Sequence, residues 1–193
     1  MMKTMTPAAL AVVPALIAAT VWAAPAPVGV ARLSVGDRMP ALKGDLLSGK
    51  QAVLPDLAAG QTALILLGFS YDSRFQVEAW AGKFRARYGT TPGLTVFEVP
   101  MMGSAARLGR VFIDRGMRKN TPVELHGRVM TVYGGNDDWK ARVGFSAPDD
   151  AYLVLIDRQG IVRWLAHGPV SEERLRELGA VVDSLATPAP ADR

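Results

Sequence analysis

The sequence predicts a single α/β domain in which a mixed central sheet lies between layers of helix, a three-layer sandwich. Three observations predict it. Residues 62–69 are a continuous apolar run, as in a strand covered on both faces, and 94–99 read as a second buried strand. A helical repeat separates them, as a crossover between parallel strands requires. Towards the end, two short apolar runs flank Asp157-Arg158-Gln159-Gly160, a hairpin signal, and a further helical repeat follows.

The chain of 193 residues is long enough for one ordinary core and too short for two comfortable ones. Its 49% hydrophobic and 21% charged residues are globular values. Twenty-two basic against 18 acidic residues leave a formal charge of +4. The basic residues are scattered, with no stripe of interleaved aromatics, so a solvated basic surface is expected and not a nucleic-acid partner. Attraction to an anionic membrane surface stays open as peripheral contact.

The elements follow in order. From Val35 to Leu57 the pattern is a docking segment that ends in a small hairpin, with Ser48-Gly49-Lys50 as its turn. The strand 62–69 comes next. In the helix after it, Ser73 and Gln76 have capping-box spacing, and Val77, Trp80, Ala81 and Phe84 recur on one side. Gly89 stops that helix, and Pro100 is expected to break the second strand. Ala105, Leu108, Phe112 and Met117 mark a second helix, with Arg107, Arg110, Arg115 and Arg118 on its more polar sides. Residues 129–133 read as a strand, and Asn136 as the cap of a short helix through Trp139 and Val143. Ser171, followed by Glu172 and Glu173, caps the last helix, whose core side is Leu175, Leu178, Val182 and Leu185.

This order describes a thioredoxin-like sheet, and two stretches sharpen the likeness. "VGDRMPALKGDLLSGKQAVLPDL" from Val35 resembles the opening of peroxiredoxin and thiol-oxidoreductase domains, and "YLVLIDRQGIVRW" from Tyr152 resembles their late hairpin. In those families the first central strand delivers a reactive cysteine, or a pair of them, to the start of the next helix. The resemblance puts Arg74 and Val77 near those places, and Ala151 near the usual cis-proline. The chain has no cysteine at all. Disulfide exchange, cysteine peroxidase chemistry and thiolate metal sites are therefore excluded.

"MRKNTPVELHGRVMTVYG" from Met117 and "HGPVSEE" from His167, together with "GFSYDSRFQVEAW" and Arg163-Trp164, resemble the mitochondrial ATP-synthase assembly factor. That resemblance implies a protein that helps a membrane complex to assemble. The leader departs from it. Lys3 precedes an almost wholly apolar stretch over residues 8–23, and Val21 and Ala23 fit a small-residue cleavage site. No Arg occurs before Arg32, so the segment is not Arg-rich like a mitochondrial presequence, and a lipid anchor would need a cysteine. Expected is a signal peptide over 1–23, an extended linker over 24–34, the domain over 35–186 and a frayed tail over 187–193. Export follows, to the periplasm or otherwise out of the cytoplasm, with an uncleaved membrane anchor as the alternative.

Candidate sites are few. Arg163 and Trp164 pair a cation with an aromatic anchor, and Arg118 with Lys119 forms a second docking candidate. Arg118 and Lys119 equally suit a helix C-terminus, and Trp164 equally suits a packed sheet position. Tyr71, Asp72 and Ser73 occupy the loop where this fold places its reactive centre, but Ser73 has no neighbouring base, and helix capping accounts for Asp72 and Ser73. His126 and His167 are the only histidines and stand in no triad or metal spacing. With Met101 and Met102 they offer the one alternative, a Cu(I) site of thioether and imidazole. The expected function is binding, as an assembly or chaperone factor for a membrane or envelope protein, with no cofactor and no catalytic constellation.

The exported protein should begin at Ala24. Intact-mass measurement of material from the periplasm should lack residues 1–23, and a mass that includes them selects the anchored form.

Overall fold

The computed structural model describes residues 29–186. Seven strands form one sheet in the order β2-β1-β5-β4-β3-β6-β7. They are β1 (Leu42–Leu46), β2 (Gln51–Leu54), β3 (Thr62–Gly68), β4 (Leu94–Met102), β5 (Met130–Tyr133), β6 (Ala151–Ile156) and β7 (Val162–His167). The helices are α1 (Ser73–Tyr88), α2 (Arg110–Asn120), α3 (Asn136–Val143) and α4 (Glu172–Ala186). β3 and β4 run parallel, as do β4 and β5, while β6 and β7 close one side antiparallel. The expected mixed sheet and layered sandwich are present.

Strand alternation sorts the core into two layers. Ala63, Ile65 and Leu67 of β3 face one layer with Phe97, Val99, Met130 and Trp139 of α3. Leu64 and Leu66 face the other, packed by Val77, Trp80 and Phe84 of α1 and by Leu178 and Val182 of α4. Leu33 is buried in the first layer and its amide donates to the Arg142 carbonyl at 2.8 Å. Packing therefore starts two residues ahead of Val35. The Ser48-Gly49 turn and the Asp157–Gly160 hairpin form where expected, with Gly49 and Gly160 at positive φ.

Four local expectations are corrected. Pro100 does not end its strand: β4 continues to Met102 and pairs with β5 there. Pro100 stands opposite Gly68, the last residue of β3, where the ladder ends and a missing N–H costs little. The Ser73/Gln76 capping box does not form. Ser70 caps α1 instead, its Oγ accepting from the Ser73 amide at 2.9 Å, and Gln76 Oε1 accepts the Ala151 amide at 3.1 Å. Asn136 is the first residue of α3 and not its cap; its Nδ2 donates to the Met101 carbonyl at 3.1 Å. Ser171 does cap α4, accepting from the Arg174 amide at 3.3 Å.

The fourth correction is the largest. A short 3₁₀ segment (Ser104–Gly109) precedes α2, and the apolar side of the pair faces solvent. Leu108, Val111 and Phe112 are 97%, 73% and 79% exposed. The inward side is polar. Asp114 is the only buried residue of α2, and its carboxylate accepts from Tyr133 Oη at 2.8 Å and Thr131 Oγ1 at 3.3 Å. Arg110 donates to Asp45 at 3.1 Å, Arg107 to the Tyr133 carbonyl at 3.0 Å and Arg118 Nε to the Leu47 carbonyl at 2.7 Å. Hydrogen bonds and not apolar burial dock this helix.

Asp114→Ala should remove the acceptor of the buried Tyr133 hydroxyl and cost about 1–3 kcal/mol, read as a lower urea midpoint at neutral pH. Burial, then the hydrogen bond to the Asp114 carboxylate, raises the Tyr133 phenol above its ordinary value of 10.0. As pH climbs past that value the unfolded chain releases this proton first, so the contribution is intact below it and fades above. Tyr133→Phe should flatten the alkaline decline in stability; an unaltered slope would show that the phenol is not its source.

Candidate functional site

The carboxyl ends of β3, β4 and β5 share one edge of the sheet, where α1, the 3₁₀ segment and α3 begin. Ligands of open α/β sheets bind outside such strand ends. A shallow cleft of about 390 Å³ lies at this edge between Gly103, Ser104 and the residues around Asn136 and Asp137.

Gly68 lets α1 start directly on β3: a Cβ there would stand 2.6 Å from Ser73 Oγ and 3.3 Å from Val77. Ser73 is fully buried, and its hydroxyl donates to the Ser70 carbonyl at 2.8 Å. It is spent on the turn and is not presented to a substrate. Ser70 Oγ donates in turn to Asp149 at 2.9 Å, linking the turn to the loop before β6.

What the edge presents outward is aromatic and cationic. Tyr71 is 72% exposed and Phe75 is 56% exposed. The Arg74 guanidinium lies 3.9 Å from the Tyr71 ring centroid and 4.4 Å from that of Phe75. The spacing i, i+3, i+4 at the helix start sets these three side by side. A guanidinium over two ring faces is an electrostatically favourable cation–π arrangement. Behind them, Phe69 packs edge-on against Phe145 and Tyr152, and the His167 ring stacks on Tyr152 at 5.3 Å. His167 Nδ1 is 2.7 Å from Asp150 Oδ2, and the Tyr152 hydroxyl accepts the Ser146 and Ala147 amides.

Of the residues singled out from sequence, Tyr71 stands at this edge and Val77, near a cysteine's usual place, is buried. Trp164 is half-buried on β7 and meets Trp80 edge-on at 6.4 Å, under the α4 side of the sheet. Arg163 is tied to the buried Asp157 at 2.6 Å. Burial would raise the Asp157 carboxyl, but hydrogen bonds from the Ile161 amide, Arg163 and the Gln159 amide outweigh it and hold the group below its ordinary value. Arg118 and Lys119 lie in the last turn of α2, away from the α1 edge.

The four methionine and histidine candidates do not come together. Met101 is buried in the first core layer, and β3 and β6 separate β4 from His167 on β7. Three strand spacings make about 14 Å, too far for shared ligation. His126 Nε2 lies 3.0 Å from the Thr121 carbonyl in another loop.

Sequence reasoning missed Ser70, Phe75, Asp114 and two pairings made by residues it had named, Arg74 with the Tyr71 and Phe75 rings and His167 with Asp150. Phe75 carried a usable signal, being an aromatic that falls off the Val77-Trp80-Phe84 stripe. Asp114 carried another, the lone acid among five cations between Arg107 and Lys119.

No family model matches the sequence, and no curated protein matches it. Solved structures do match. A candidate protein disulfide isomerase from Bacteroides thetaiotaomicron is 17% identical over 80% of this chain and 91% of its own, with a TM-score of 0.54. The thioredoxin domain of a thiol-disulfide oxidoreductase from Bacteroides vulgatus is 18% identical over 80% and 99%, with a TM-score of 0.52. An uncharacterized conserved protein from Geobacillus kaustophilus is 15% identical over 83% and 87%, with a TM-score of 0.54. The chain has a thioredoxin-like fold. Among the described residues no helix is long and apolar enough to cross a membrane.

Trp164→Ala should cost about 2–4 kcal/mol, a little under the loss for a fully buried tryptophan. Urea unfolding reads it, and a change under about 0.5 kcal/mol would mean that the ring is not packed against Trp80 in solution.

Proposed function

We propose that this protein is an exported, redox-inactive member of its fold that acts by binding a protein partner, as an assembly or chaperone factor for a membrane or envelope complex. One observation carries the reading. At the start of α1, where the fold's redox relatives hold their thiols, this cysteine-free chain exposes Tyr71 and Phe75 with Arg74 between them. Tyrosine and arginine are the residues most often found at the energetic centre of interfaces. An edge that meets substrate proteins in thiol oxidoreductases is thus turned to contact without transfer of electrons.

The stretches from Met117 and His167 that resemble the mitochondrial ATP-synthase assembly factor support a membrane complex as the client. The apolar leader supports export. Enzymatic turnover forms no part of this reading, because Ser73 is bonded within its turn and no thiol exists.

The Tyr71→Ala/Phe75→Ala double variant should capture its partner from solubilised membranes at least 30-fold more weakly, the equivalent of about 2 kcal/mol. Both side chains are exposed, so the melting temperature should hold. Insulin reduction by the wild type should equal the buffer control. Undiminished capture by the double variant, or reductase turnover above the control, overturns the proposal.

A further inference from the structure

We propose that the outward face of α2 is a separate site that binds anionic phospholipid at a membrane surface. Leu108, Val111, Phe112, Arg115 and Lys119 recur at i, i+3, i+4, i+7 and i+11, so helical spacing sets them on one side. All five are exposed, and Leu108, at 97%, is covered by none of the described residues. The result is an apolar ridge at the start of the helix with cations following it. A face so built sinks its apolar side chains below the headgroups and leaves its cations level with the phosphates.

Charge argues for this occupant over the others. From Arg107 to Lys119 there are five cations and one acid, and that acid, Asp114, is buried and bonded to Tyr133 and Thr131. The outer face is therefore purely cationic. A second copy would set Arg115 and Lys119 against the same two cations. The chain's own N-terminal stretch is apolar but holds no acid before Asp37, so it answers the ridge and not the charge. An anionic bilayer answers both. The fold also holds the face in place, because Arg107, Arg110 and Arg118 pin the opposite side to the sheet through the hydrogen bonds given above.

The absence of native cysteine makes the test site-specific. Leu108→Cys and Phe112→Cys in the full chain, each carrying an environment-sensitive fluorophore, are mixed with vesicles of phosphatidylcholine alone or with 30% phosphatidylglycerol. Glu177→Cys, exposed on α4, serves as the control position. Labels at 108 and 112 should shift to the blue and resist an aqueous quencher on the anionic vesicles, while the label at 177 should not. Arg115→Gln/Lys119→Gln should weaken partitioning into anionic vesicles by about 25-fold, about fivefold for each charge removed. Binding by the apolar leader alone would leave the 108 label quenchable, and that result overturns the proposal. So does equal binding to the neutral vesicles. A shift that grows with protein concentration in the absence of lipid would assign the face to a second copy, and one that needs poly-glutamate and not vesicles to an acidic polypeptide.

Discussion

The complete burial of β3 is the constraint on which the rest of the structure depends. Thr62 to Gly68 are all buried, with alternate side chains in different core layers, so the strand must be covered on both faces and paired on both sides. Those requirements explain the crossover helix α1, the parallel partner β4 and the antiparallel closure by β6. With no disulfide available, the fold rests on burial and hydrogen bonding. An apolar seven-residue run in the middle of the chain thus organises elements on both sides of it.

Away from that strand the physics changes. α2 lies over β5 and β1, where Thr131, Tyr133 and Asp45 present hydroxyls and a carboxylate instead of hydrocarbon. A helix with a wholly apolar inner face would leave the buried Tyr133 hydroxyl without its acceptor, at about 1–3 kcal/mol. Asp114 and the arginines satisfy these polar groups, and the apolar residues of the segment are left for the outside. Placing Leu108 and Phe112 in water gains nothing for the fold, which is why their position points to a role outside it.

Two outward surfaces of the fold differ in character. The α1 edge presents two exposed rings beside the Arg74 guanidinium, and α2 with the 3₁₀ segment before it presents an apolar ridge followed by cations. Under the proposed function the two would act together, since a surface-bound factor holds its client at raised effective concentration.

The sequence alone determined the fold class, the strand and helix order, the two loop hairpins and the cap at Ser171. Those features rest on local periodicity and turn chemistry, which short windows contain. It also excluded thiol chemistry, because composition is not altered by folding. What it could not contain is which side of a helix meets which part of the sheet. Leu108 and Phe112 have the spacing of core residues, and only the polar surface of β5 and β1 turns them outward. The same holds at the site. Tyr71 was visible as a residue in the right loop, whereas its stacking on Arg74 and the choice of Ser70 over Ser73 as cap depend on how α1 seats on Gly68. Periodicity records that a residue is apolar or polar; the partner that decides its direction is tens of residues away, and only the tertiary structure brings the two together.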